Sequence, residues 1–237
     1  CSGVPSNSQF DDIKLFKTRV IGKDDREEVD SSEAPQVVAT SPVGDEVELS
    51  TGLIFGANCN SVMTSAHVYF DKGKGVGNWG AVTSDPKEFS NLKTFESDTL
   101  HFGSKRTSIE VDESGKVVSS NRYMDFAFAR IPDDPSLGYG EVVRACDEFK
   151  EMRQLKQADF KGKDFIPVKM VAFHGLEDGS MKKMKVVNCS LRKKKNPNSS
   201  HFSEDRLFYH DCDTNGMASG GVIYVEDRGG KYVVGIH

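Results

Sequence analysis

The sequence predicts an all-β protein, on three observations. Apolar runs of strand length recur along most of the chain. Gly, Asn, Asp and Pro bound them, and no long helical pattern separates them. Many short strands without long helices build sandwiches or barrels, and the pattern alone leaves that choice open.

The elements follow in chain order. Residues 1–19 are polar and aperiodic, and read as a leader. Strand-length runs then lie at 36–39, 52–55, 61–64 and 126–129, and again at 168–173, 184–187, 221–225 and 232–236. One stretch differs. Val143, Cys146, Phe149, Met152 and Leu155 recur at every third residue, which fits a short amphipathic helix within a 141–160 linker between two β units. The domain expectation is therefore a leader at 1–19, a first β unit at 20–140, that linker, and a second β unit at 161–237. Gly75, Gly77 and Gly80 match a dinucleotide-binding pattern in letters only, because no strand–helix context surrounds them.

Composition removes several function classes. The chain is 28% charged and 37% hydrophobic, as expected of a globular fold. A net charge of -5 argues against a nucleic-acid binder, which should be basic. The basic run Arg192, Lys193, Lys194, Lys195 adjoins Asn196 and Pro197 and reads as a solvated loop. No run of about 18 apolar residues is present. Cys1-Ser2-Gly3 is what a bacterial lipoprotein looks like after signal removal, so a lipid anchor at Cys1 and a secreted, periplasmic or cell-surface location are expectations.

Five cysteines are present. With Cys1 set aside, the other four allow three pairings. We take Cys189–Cys212 first and Cys59–Cys146 second, with buried free thiols as the alternative. No Cys-x-x-Cys spacing supports a zinc site, and no cofactor or metal is expected.

Three motifs carry chemistry. Val62-Met63-Thr64-Ser65-Ala66-His67 is an apolar strand ending in a small-residue turn that presents a histidine. Met124-Asp125-Phe126-Ala127-Phe128-Ala129 sets an acid before a strand that looks buried, where an unpaired charge is costly. Asp213-Thr214-Asn215-Gly216-Met217-Ala218-Ser219-Gly220-Gly221 is a serine in a tight turn before a strand. A serine hydroxyl is a weak nucleophile at neutral pH, and an imidazole can take its proton and later return it. A carboxylate orients that imidazole and stabilises its cation. Small residues beside Ser219 let a substrate backbone approach.

Singly these motifs are weak; in the order His, Asp, Ser they match the chymotrypsin-type order. Over residues 20–237 the sequence resembles the trypsin-like serine peptidases, and among them the bacterial glutamyl endopeptidase-like branch. The resemblance rests on Thr64-Ser65-Ala66-His67, Met124-Asp125-Phe126-Ala127-Phe128, Ala218-Ser219-Gly220-Gly221 and the stretch from Val20 to Arg26. It implies two antiparallel six-stranded β-barrels with the site in the cleft between them. It implies a serine endopeptidase, a hydrolase acting through an acyl-enzyme on protein or peptide substrates, with Ser219 as nucleophile, His67 as general base and acid, and Asp125 as orienting carboxylate. The backbone N–H groups of Met217 and Ser219 are the implied oxyanion donors. Thr214 and His237, aided by the Val20 amine, are the implied receptors of an acidic side chain. A zymogen cut after Arg19 by an activating protease follows, and the chain is expected to act as a monomer.

Three departures stand out. The family usually has glycine where Met217 stands, and methionine would be strained if that position needs φ > 0. Ala218 replaces the acid with which the digestive enzymes bind their new N-terminus. The family also continues beyond the position of His237. A catalytically weak or inactive homologue acting as a binding protein is the rival expectation. A metal-dependent hydrolase is a third, for which no ligand cluster is visible; His210-Asp211-Cys212-Asp213 reads as pocket and scaffold. His101, His174 and His201 have no partner identifiable from sequence. Asn188-Cys189-Ser190 and Asn198-Ser199-Ser200 fit the glycosylation sequon.

Overall fold

A computed structural model describes residues 23–30, 36–43, 46–55, 61–66, 70–71, 75–76, 79–83, 93–96, 100–102, 126–130, 149–153, 155, 157–160, 162–176, 180–192 and 208–237. Among the described residues sixteen strands run in chain order: β1 Arg26–Glu28, β2 Gln36–Val43, β3 Glu46–Phe55, β4 Ser61–Thr64, β5 Phe70–Asp71, β6 Gly75–Val76, β7 Trp79–Thr83, β8 Lys93–Glu96, β9 Leu100–Phe102, β10 Ala127–Arg130, β11 Phe149–Met152, β12 Phe165–Gly175, β13 Met181–Arg192, β14 Tyr209–His210, β15 Val222–Asp227 and β16 Gly230–Ile236. Two 3-10 turns are described in full, at Gln157–Phe160 and Gly216–Ala218. The eight strand-length runs read from the sequence all fall in strands, to within one residue at their ends.

Two seven-stranded sheets hold fourteen of these strands, and β5 pairs with β6 apart from them. One runs β8-β7-β2-β3-β4-β10-β9. The other runs β1-β13-β12-β15-β16-β11, with β14 beside β13. Pairing within them is antiparallel except between β11 and β16. β1 lies within the 20–140 stretch, yet it pairs with β13 in the second sheet, Arg26 opposite Val186. Residues 1–19, Val20, Cys59 and Cys146 lie outside the described residues.

β12 explains why its sequence is a nearly unbroken apolar run. It sits between β13 and β15, and Val168 and every residue from Met170 to His174 are buried. β13 alternates instead, burying Met181, Lys183, Val186, Cys189 and Leu191. Its register against β12 shifts between Val168 and Met170, so the alternation changes phase there. Leu53 and Met63 from the first sheet pack with Val171, Val222, Tyr224 and Val233 from the second. That cluster joins the sheets, and each such buried side chain contributes about 1.5–3 kcal/mol.

The helix expected within 141–160 is corrected over its described part. Phe149–Met152 is strand β11, parallel to β16. Phe149 meets Tyr224 edge-on, with ring centroids 5.3 Å apart, while Met152 is 48% exposed. The three-residue spacing therefore does not mark one buried face. Pairing along β16 and packing on Tyr224 outweigh the local period.

The Cys189–Cys212 disulfide is present, with Cα atoms 4.8 Å apart across a separation of 23 residues. It fixes the segment after β14 to β13, immediately before Asp213 and Thr214. Asp211 strengthens the same junction. Its carboxylate accepts from Ser190 N at 2.6 Å and from Arg192 Nη2 at 2.7 Å. Burial alone would raise that carboxyl, but the bonds from Arg192 and Ser190 outweigh it and hold it below its usual range. Closing a loop of this size stabilises by about 3 kcal/mol. We expect the Cys189→Ser, Cys212→Ser double variant to lose about that much in urea unfolding, and an unchanged midpoint would show the link to be dispensable.

Candidate active site

The site is built around the turn that follows Thr214. Asn215 has extended backbone and caps the 3-10 turn Gly216–Ala218, and Ser219 ends it. Gly220 then takes φ 80°, the left-handed region that favours glycine. A Cβ at Gly220 would lie 2.0 Å from the Thr51 carbonyl oxygen and 2.4 Å from Thr64 Oγ1. Glycine is thus required here for both conformation and space. Gly221 is nearly as confined, since a Cβ there would meet Ala172 Cβ at 2.7 Å.

Hydrogen bonds join this turn to the other two motifs. Thr51 N donates to the Ser219 carbonyl at 2.8 Å, and Thr64 Oγ1 donates to the Thr51 carbonyl at 2.7 Å. Ser65 Oγ donates to the His237 carbonyl at 2.8 Å, and Gly220 N reaches the same oxygen at 2.6 Å. His67 and Asp125 lie outside the described residues. The strand positions beside them are described: Thr64, at the end of β4, is the register partner of Ala127, at the start of β10. The described flanks of all three motifs therefore share one hydrogen-bonded neighbourhood.

Met217 is not strained. It lies within the 3-10 turn, whose φ is negative, and is fully buried. Its sulfur packs beside Gly175, where a Cβ would approach it to 3.3 Å. Its N–H, expected as an oxyanion donor, donates to Asn215 Oδ1 at 3.2 Å. Asn215 Nδ2 in turn donates to the Gly175 carbonyl at 2.6 Å. In this structure the Met217 donor is engaged inside the protein.

The implied specificity residues have defined places. Thr214 is buried at the entry to the turn. His237 follows β16, and its N–H donates to Gly221 O at 2.9 Å. His237 Nδ1 lies 2.8 Å from His210 Nε2, with the rings nearly perpendicular. One of these nitrogens donates to the other. The sequence reading placed His210 among pocket and scaffold residues and assigned it no partner. Its position in β14, pinned beside β13 at Leu191, brings it to His237.

A second polar group lies behind Asp213. Asp25 N donates to Asp213 Oδ2 at 3.4 Å. The Arg26 guanidinium forks onto Asp24, Nε at 2.9 Å and Nη2 at 2.6 Å, and its Nη1 meets His174 Nδ1 at 3.3 Å. The hydrogen bond from Arg26 holds the Asp24 carboxyl at about 2, against the pull of burial. Burial, and then the Asp213 charge, raises Asp25. His174 is fully buried; burial first and the Arg26 charge second depress it to about 3. Arginine only donates, so Nδ1 accepts and the proton sits on Nε2, which finds no hydrogen-bond partner among the described residues. Sequence gave no sign of this partnership, because Arg26 arrives on β1 from 148 positions away.

No protein-family model and no curated protein matches the chain. Solved structures do. A protease, Anisep, from Arthrobacter nicotinovorans aligns with a TM-score of 0.51 at 13% identity, over 88% of this chain and 84% of that one. The chain shares that protease's fold. The thermostable serine protease AL20 from an extremophilic microorganism aligns at 0.48 and 14% identity, over 86% of this chain and 84% of its own. Tobacco etch virus protease complexed with product aligns at 0.46 and 14%, over 89% and 70%. The two largely antiparallel sheets are consistent with the chymotrypsin-like all-β fold that the sequence resemblance implied.

Two measurements check this geometry. We expect Gly220→Ala to cost on the order of 3–5 kcal/mol in chemical unfolding, because strain and a backbone clash coincide; a loss below about 1 kcal/mol would contradict the close approach. The second concerns acid. Below pH 6.5 the unfolded His174 binds a proton that the folded chain refuses until about pH 3. Stability from this group is therefore full above pH 6.5 and falls as pH drops through that window. Between pH 7 and 4 the loss is about 3 kcal/mol. His174→Gln should flatten that limb of the urea-stability profile, and an unchanged slope would show that His174 protonates freely.

Proposed function

We propose that the chain is a peptidase of the chymotrypsin type, a serine endopeptidase hydrolysing peptide bonds through an acyl-enzyme. The observation that supports this reading is the convergence of the described flanks of the three motifs. Ser219 is tied through Thr51 to Thr64, three residues before His67, and Thr64 is paired with Ala127, two residues after Asp125. In the proposed mechanism His67 takes the Ser219 proton as the hydroxyl attacks the carbonyl carbon, then gives it to the leaving amine. Water, activated by the same imidazole, releases the acyl group. Asp125 orients His67. The reading retains two β-barrels, with the expected six strands each replaced by the seven paired in each sheet, together with maturation after Arg19 and a secreted or surface location.

A preference for Glu or Asp at the cleaved position belongs to the same proposal. Its support is the His210–His237 pair beside the serine turn, with Thr214 at the turn's entry, since an imidazole N–H donates well to a carboxylate. The rival, a binding protein with little or no turnover, draws on one observation: the Met217 N–H is held by Asn215 rather than offered to a substrate oxygen. An engaged donor weakens catalysis by about 10²–10³ if it never releases.

The test uses protein cleaved to begin at Val20, with an uncleaved control, and a fluorophosphonate probe located by peptide mass spectrometry. Label on Ser219 after cleavage is the expected result, and a peptide library should then show cleavage after Glu. Label on both forms would keep the peptidase and discard maturation at Arg19. Folded protein unlabelled in either form would overturn the peptidase and favour the binding protein.

A further inference from the structure

One buried residue outside the expected triad is bonded both to the serine turn and to the strand that leads to His67. Thr51 lies in β3, fully buried. Its backbone N donates to Ser219 O at 2.8 Å, and its carbonyl accepts from Thr64 Oγ1 at 2.7 Å. Those two bonds would be available to any residue at this position. The side chain adds two more that are not. Thr51 Oγ1 donates to the Met217 carbonyl at 3.1 Å and accepts from Phe173 N at 2.9 Å.

The proton assignment follows without ambiguity. A backbone N–H such as that of Phe173 can only donate, and a hydroxyl has one proton. That proton must therefore go to Met217 O. The hydroxyl thus connects β12 to the turn carrying Ser219. Peptide planarity extends the effect. Fixing the Met217 carbonyl fixes the Met217–Ala218 plane, whose own N–H points to Asn215 O at 3.0 Å. This plane lies between Met217 N–H and Ser219 N–H, the two donors expected to stabilise the oxyanion. Threonine's branched Cβ restricts χ1, so the hydroxyl's direction is held by packing as well as by its partners.

We infer that Thr51 is a positioning residue for catalysis, its hydroxyl setting the orientation of the peptide that separates the two oxyanion donors. The inference rests on the serine-peptidase reading. It requires a particular kinetic signature. Donor alignment acts on the transition state and not on the bound substrate, so its loss lowers kcat and leaves KM nearly unchanged. A residue that merely supported the fold would lower stability without that split.

The experiment compares Thr51→Val, which keeps shape and removes the hydroxyl, with Thr51→Ser, which keeps the hydroxyl. Both are measured with a peptide substrate well below their unfolding temperatures, beside labelling of Ser219 by the fluorophosphonate probe. We expect kcat to fall about 10–100-fold in Thr51→Val, with KM within about threefold, and Thr51→Ser to stay within about threefold of the parent. Folded Thr51→Val at parental kcat, a loss confined to KM, or Thr51→Ser falling as far as Thr51→Val would each overturn the inference. If Thr51→Val does not fold, Thr51→Ser decides: near-parental kcat upholds the role of the hydroxyl, and a tenfold loss in folded protein removes it. A parent protein that is folded but never labelled sinks the peptidase reading and this inference together. A labelled parent with indifferent variants sinks only the inference.

Discussion

The candidate site depends on how closely the serine turn can lie against β3. At Gly220 the two backbones are so near that even one carbon atom does not fit beside the Thr51 carbonyl. This contact lets Thr51 N reach Ser219 O, and it places Gly220 N within reach of His237 O. The left-handed bend at Gly220 then sends the chain into β15, whose Val222 is register partner to Ile236. A bulkier residue would push the turn from the first sheet and separate the serine from the strand that leads to His67.

Around that contact the two sheets meet through polar groups as well as through apolar packing. Ser50, Thr51, Thr64 and Ser65 are all buried, as are Asp213, Thr214 and Asn215. Buried polar groups are costly unless satisfied, and here Thr51 and Ser65 hydrogen-bond across the sheets, Thr51 to Met217, Ser219 and Phe173 and Ser65 to His237. Such bonds are directional, whereas the apolar cluster of Leu53, Met63, Val171 and Tyr224 beneath is not. Packing brings the sheets together, and the hydroxyls set their relative position. Met217 combines the two roles. Its side chain fills space beside Gly175, while its backbone is held at the N–H by Asn215 and at the carbonyl by Thr51.

Some of this was legible in the sequence. The central strands were, because β12, β15 and β16 carry apolar runs bounded by turn residues. The serine turn was also visible, since Ser219-Gly220-Gly221 leaves little room for side chains. The stretch 149–152 was misread because its spacing says helix, and only its distant partner β16 makes it a strand. The site's supporting residues were invisible for a related reason. Thr51 is one threonine in a strand until Met217, 166 residues away, is set beside it. Arg26 and His174 likewise acquire meaning only when β1 reaches β13. The fate of the Met217 N–H was hidden too, because it depends on which way the Asn215 amide turns.

β1 has a consequence for how the molecule is made. Glu28 and Lys182 form an ion pair across 154 positions of sequence, and β1, which carries Glu28 and Arg26, lies on the edge of the second sheet beside β13. During synthesis this short segment leaves the ribosome long before β13 exists. All of the first sheet is translated in the interval. The N-terminal segment must therefore wait, and closure of the second sheet is a late, non-local event of the kind that slows folding. The same closure brings Asp25 to Asp213 and Arg26 to His174. Completion of the fold and the final electrostatic setting behind the serine turn are thus a single step, and a nascent chain that has formed only its first sheet has neither.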